Sequence, residues 1–182
     1  MQFTQKAKQH IDSCRFCWMC HHVCPIGNAT GLERNTARAR ALGLSMVARN
    51  AIEYTDDVIK NVYECCLCGG CMTDCVTGWD PVMFTKEARL GAALDGKLPE
   101  YVMTMLGNIA ESGNIYGEKE IADVLKNAIA DLPANADVLF FIGKDGAYRT
   151  PEKAAKAVEL LKKAGVDFTV DKHEKNSAYD MD

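Results

Sequence analysis

Eight of the nine cysteines in this chain keep one cadence twice: Cys14, Cys17, Cys20 and Cys24, then Cys65, Cys68, Cys71 and Cys75. A cubane iron–sulfur cluster needs thiolates at the corners of one small tetrahedron. Three cysteines at three-residue steps in a short loop can wrap three of its irons, and the fourth thiolate then comes from farther along. Where two such runs hold two clusters, the last cysteine of each run ligates the other cluster. The expected ligand sets are therefore Cys14, Cys17, Cys20 and Cys75 for one 4Fe-4S cluster, and Cys65, Cys68, Cys71 and Cys24 for a second.

Other uses of cysteine fit less well. Structural zinc usually takes two separate two-cysteine hooks per metal, not four cysteines in one run, repeated, and once followed by proline. A disulfide framework suits neither an odd number of cysteines nor such close triplets, and it needs an oxidising compartment. Residues 1–13 are polar with no apolar core, so no signal peptide is expected. No run approaches the roughly 20 apolar residues that span a bilayer. The expectation is a cytoplasmic chain.

With 182 residues, 48% of them hydrophobic, the chain has room for one medium domain or two small ones. Its 21 basic and 25 acidic side chains give a net charge of -4, which offers no basic field to a phosphate backbone. Nucleic acid is not an expected partner. A protein partner is compatible with that charge, because association depends on local patches.

The segment between the cysteine runs has a helical pattern. Thr30 to Glu33 reads as a capping box opening a helix whose inward stripe is Ala37, Ala41, Leu44 and Ala48. Thr55 can cap a second helix, with Val58, Ile59, Val62 and Tyr63 on its apolar face, running directly into Cys65. Asp80-Pro81 opens a third, with Met83, Glu87, Leu90 and Leu94 on one side and a stop near Gly96. Two further helices are expected at 101–111 and 119–131, joined by a turn at 113–117. The character then changes. An apolar run at 137–142 reads as a strand ending at Gly143. Thr150-Pro151 opens a helix carrying Ala154, Ala157, Val158 and Leu161 and closing at Gly165, and 166–170 returns as a strand. The fold class expected is mainly α: an α-helical ferredoxin domain with two 4Fe-4S clusters over 1–98, a helical connector over 99–133, and a partial α/β domain, a β-α-β unit, over 134–182.

Taken together, the cysteine runs, the helices between them and the late β-α-β unit resemble the iron–sulfur oxidoreductases related to heterodisulfide reductase. The iron–sulfur subunits of anaerobic glycerol-3-phosphate dehydrogenase and glycolate oxidase look similar. The resemblance implies an electron-transfer subunit of a multisubunit oxidoreductase, relaying single electrons between a flavin-containing subunit and a further electron carrier. Substrate chemistry is then expected in a partner, any membrane association is indirect through one, and no catalytic residue is assigned here. In that family the segment from Ala136 opens a cysteine-rich domain, but this chain has Lys144 after Gly143, where a cysteine is usual, and Asn176-Ser-Ala178 in place of Cys-Cys-Gly. The segment at 134–182 thus looks like a degenerate or truncated version. The alternative class is a catalytic heterodisulfide or quinone reductase whose active cluster lies in a C-terminal continuation.

Several residues beside the cysteines bear on cluster electronics. Arg15, His21 and His22 adjoin the first run, and Arg34 and Arg38 are expected one helical turn apart. Gly69 and Gly70 let the backbone approach the second cluster. Cys66 falls out of step and reads as a small buried thiol beside that cluster. Trp18 and Trp79 are expected to pack near the clusters and shield them. Gly143 to Gly146 lacks the spacing of a phosphate loop.

Overall fold

Residues 2–171 and Glu174 are described in a computed structural model of the chain, and helices dominate it. The chain divides into two units, one running through Pro99 and the other beginning at Glu100.

The first unit opens with a helix the polar N-terminus did not announce. Thr4 Oγ1 accepts the Ala7 amide at 3.2 Å and starts α1 (Gln5–Asp12), which buries only Ala7 and Ile11, one turn apart. Two short helices follow the first cysteine loop, α2 (Met19–Val23) and α3 (Pro25–Thr30). Here the expected capping box fails. Thr30 closes α3, Gly31 turns left-handed at φ 66°, and a 3-10 turn spans Glu33–Asn35. The cap of α4 (Ala37–Ala48) is Thr36, whose Oγ1 accepts the Ala39 amide at 3.4 Å. Ala37, Ala41 and Leu44 are buried as the periodicity predicts, and Ala48 is half-buried.

Thr55 stands at the cap of α5 (Asp56–Tyr63), which buries Ile59 and Val62 and leads into the second cysteine loop and the one-turn α6 (Gly70–Thr73). Asp80 Oδ1 accepts the Met83 amide at 2.9 Å and Pro81 fills the first turn of α7 (Pro81–Leu94). The face of α7 is not the predicted one. Phe84, Ala88 and Ala92 point inward, while Leu90 and Leu94 are 58% and 79% exposed. Small alanines let α7 pack closely, and a reading weighted toward the larger leucines picks the opposite side.

Helices α1, α4, α5 and α7 share one core, in which Leu44, Val62 and Phe84 are fully buried and the Trp79 ring lies 5.5 Å from Phe84. Phe84→Ala is expected to destabilise this unit by about 3–5 kcal/mol, because a close-packed core does not refill an aromatic void. Chemical denaturation of the variant beside the parent chain measures it.

In the second unit α8 (Glu100–Ser112) and α9 (Asp123–Ile129) precede β1 (Val138–Leu139), α10 (Gly143–Tyr148), α11 (Pro151–Lys163) and β2 (Phe168–Thr169). The strands pair in parallel, Val138 opposite Phe168 and Leu139 opposite Thr169, and the Phe140 amide donates to the Thr169 carbonyl at 2.8 Å. Leu125, Ile129, Ala154, Val158, Phe168 and Val170 form the core. Helix α9 starts later than residue 119 because buried Asn114 organises the preceding turn. Its Nδ2 donates to the carbonyls of Ser112 and Glu118, and its Oδ1 accepts the Tyr116 amide. The strand expected over 137–142 is cut short, and Gly143, at φ 74°, opens the unforeseen α10. Among the described residues, no helix is long and apolar enough to cross a membrane.

Candidate metal centre

The two cysteine loops repeat in backbone as well as in spacing. In the first, Phe16 and Trp18 take left-handed φ values of 52° and 69°; in the second, Leu67 and Gly69 stand at the matching places with 51° and 76°. Left-handed backbone costs a residue with a side chain roughly 1–2 kcal/mol, so three such residues at equivalent positions mark a conformation the fold enforces. It wraps each loop back on itself around its own cysteines, with the Phe16 amide donating to Cys14 Sγ at 3.5 Å. Helix α1 delivers the first loop and α5 the second, and each loop runs out into a short helix, α2 or α6.

Helices α2 and α6 pack against each other, and this contact exchanges the last cysteine of each run. One cavity is lined by Cys14, Cys17, Cys20 and Cys75, together with Arg38, Trp18 and Trp79. The other is lined by Cys24, Cys65, Cys66, Cys68 and Cys71, together with Arg40. Each cavity thus draws three in-step thiols from one run and one from the other, and the second has Cys66 as a fifth. Cys24 is held by its place at the start of α3, where its Sγ accepts the Gly27 amide at 3.4 Å. Among the described residues no three His, Cys, Asp or Glu side chains converge on a point that one metal ion would occupy. A 4Fe-4S cluster asks for a different layout, one thiolate for each of four irons, and the four in-step thiols around each cavity supply that donor set.

Burial shapes the chemistry of the free thiols. It pushes Cys71 up to about 12, assisted by the neighbouring Cys65, Cys20 and Cys68, and it raises Cys20 as well. Burial acts upward on Cys75 too, but hydrogen bonds from the Thr77 hydroxyl and from the amides of Thr77 and Trp79 outweigh it and leave this thiol below its ordinary value. Cys20 and Cys71 are therefore neutral thiols near pH 7, and a metal must displace their protons to bind. Cys17 and Cys68 are exposed, whereas Cys20 and Cys24 are buried, so each ring has an open side and a closed one.

Three expectations about the surroundings need correction. Cys66 is exposed, not buried, although it lines the second cavity. Trp18 is 51% exposed and reaches the first cavity from outside, with the Arg38 guanidinium 4.0 Å above its ring; only Trp79, 2% exposed, packs as a buried shield. Arg34 and Arg38 do not share a helix. Arg34 sits in the 3-10 turn and pairs with Glu64 at 2.9 Å, and Arg38 pairs with Glu33, which also lies 3.3 Å from His21 Nε2. Gly69 uses its conformational freedom, and a Cβ on Gly70 would meet the Val23 carbonyl oxygen at 3.5 Å, an ordinary contact.

The sequence reading missed two buried arginines. Arg40 is 3% exposed and lines the second cavity; its Nε donates to the Asn61 carbonyl at 2.9 Å, while its Nη2 has no hydrogen-bond partner. In the first cavity the buried Trp79 Nε1 is likewise without a partner. Such orphaned donors are costly unless an acceptor meets them, and the sulfurs of an anionic cluster are acceptors. Arg89 donates to the carbonyls of Val62, Tyr63 and Cys65, fastening the end of α5 to the second loop. Both arginines fall in phase with the buried stripes of their helices, and that phase is the signal that could have found them.

Residues 10–79 match the sequence model of a family described as a 4Fe-4S dicluster domain. No curated protein and no solved structure matches the chain. The match supports an iron–sulfur protein with 4Fe-4S binding and an electron-transfer role.

Proposed function

We propose that this iron–sulfur chain carries two 4Fe-4S clusters, one held by Cys14, Cys17, Cys20 and Cys75 and the other by Cys65, Cys68, Cys71 and Cys24, and relays single electrons within a larger oxidoreductase. The observation that carries the reading is the crossed lining of the two cavities, four in-step thiols in each with one borrowed from the other run, and Cys66 beside the second. Bound there, the clusters supply one-electron exchange at potentials set by their surroundings. The protein's part is to hold, shield and bias. Cys20 and Cys71 stand near each other where α2 meets α6, which puts the closed sides of the two rings together. Cys17 and Cys68 lie on the open sides, where partner proteins reach. Trp79 keeps water from the inner wall of the first cavity. Arg38 and Arg40 place positive charge beside each ring, which favours the more reduced state.

On this reading the donor is a flavin-containing subunit and the acceptor a further electron carrier, and no residue of this chain touches substrate. Ala136 to Val170 is read as the opening of a cysteine-rich-type domain, with Lys144 after Gly143 where a cysteine is usual.

Anaerobic purification tests the reading. It predicts about eight irons and eight sulfides per chain, with low-temperature electron paramagnetic resonance of two reduced clusters. Colourless, zinc-loaded protein prepared without oxygen would overturn it. A flavoprotein recovered with the native chain supports the relay role. Cys66 supplies a separate check: Cys66→Ser should keep the full iron complement, and in the loaded parent chain Cys66 should be the first thiol alkylated, as peptide mass mapping would show.

A further inference from the structure

The structure assigns Trp79 and Arg40 as the side-chain donors that hydrogen-bond cluster sulfur, Trp79 in the first cavity and Arg40 in the second, each setting the potential of its own cluster. The assignment rests on the two-cluster reading above and goes beyond it.

Two independent observations meet at each residue. Trp79 is 2% exposed and Arg40 is 3% exposed, so neither can turn its free N–H to water. Trp79 Nε1 and Arg40 Nη2 are also buried donor atoms that find no acceptor among the described residues. A buried donor with no acceptor is destabilising, and both side chains line the thiol-ringed cavities. The rest of each side chain is already fixed. Arg40 Nε is committed to the Asn61 carbonyl, and the Trp79 ring is held against Phe84. What remains unsatisfied is the Trp79 Nε1–H in the first cavity and the Arg40 Nη2 group in the second, and the acceptor that suits both is sulfur carrying negative charge.

The two donors differ in kind. Trp79 offers a neutral N–H, whereas Arg40 offers a charged one, and charge-assisted hydrogen bonds are roughly twice as strong. Adding an electron makes a thiolate-ligated cluster more negative, so a donor stabilises the reduced form more than the oxidised form and raises the potential. Removing either donor lowers the potential of that cluster alone. These are positioning residues; neither takes part in ligation.

The test is a redox titration followed by electron paramagnetic resonance, with signals assigned from Cys24→Ala and Cys75→Ala chains that keep one cluster each. Trp79→Phe keeps the ring and deletes the N–H, and at the parent midpoint potential the reduced-to-oxidised ratio of the first cluster should fall roughly threefold. Arg40→Met should lower the ratio of the second cluster about tenfold, which for one electron is about 59 mV, and Arg40→Lys should recover most of it. Each change leaves the other cluster's midpoint in place. Both midpoints unmoved in variants with full iron would overturn the assignment, and so would equal shifts of both clusters. A parent chain without iron would instead overturn the two-cluster reading. Should a variant fail to load, the intact side chain can be read directly. The chain has two tryptophans, so 15N-indole labelling in a Trp18→Phe background reports Trp79 alone. Nitrogen coupling to the reduced first cluster in pulsed resonance supports the assignment, and its absence refutes it.

Discussion

Replacing Cys24 with alanine should empty the cavity that holds Cys65, Cys68 and Cys71 and leave the cluster of its own run in place. Iron and acid-labile sulfide should fall from about eight to about four per chain, and Cys75→Ala should cause the same loss from the opposite cavity. Cys24 stands with the second-run cysteines and Cys75 with the first-run cysteines, because α2 and α6 pack together and each passes its terminal cysteine across. Cys20→Ala and Cys71→Ala give the uncrossed controls, since each should strip the cavity of its own run. The paired outcome is what matters. If Cys24→Ala and Cys20→Ala remove the same resonance signal, the sets are uncrossed and the ligand assignment fails.

Arg89→Met should destabilise the first unit where α5 meets the second cysteine loop. One guanidinium nitrogen of Arg89 serves the carbonyls of Val62, Tyr63 and Cys65, where α5 gives way to the second loop, and the Arg89 Cζ lies 4.9 Å from the Tyr63 ring centre. Methionine fills much of the space and leaves those carbonyls buried without that donor. The cost expected is about 3 kcal/mol, which for a unit of this size lowers the thermal midpoint by more than about 10 °C. Thermal melts by circular dichroism on metal-free protein measure it, and Arg89→Lys should fall between variant and parent, having the charge without the planar fork. A melt that matches the parent would show that the loop is anchored elsewhere.

The cysteine spacing carried more of the site than any other feature, because spacing within a tight loop is local geometry and the chain writes it directly. The inward stripes of α4 and α11 were legible for the same reason, since Leu44 and Val158 repeat at helical period among alanines. What was not legible depended on competition between neighbours. Thr30 and Thr36 both look like caps, and Gly31 decides between them by ending α3. Leu90 and Leu94 are the more hydrophobic side of α7, yet alanines win the core because the helices approach closely. Arg40 and Arg89 look like surface charges until their phase places them inside. Asn114 is a loop residue by composition and a buried hub by its hydrogen bonds.

On the proposed ligand sets, the exchange of cysteines between α2 and α6 also dictates an order of biosynthesis. Neither cage has all its walls until residue 75 has left the ribosome, because the first set waits for Cys75 and the second begins only at Cys65. A nascent chain halted anywhere earlier presents incomplete rings, so maturation machinery can deliver inorganic cores only after translation of this whole segment. Once filled, the pair rivets the first and last parts of the segment to each other, and stripping either core loosens the grip on both.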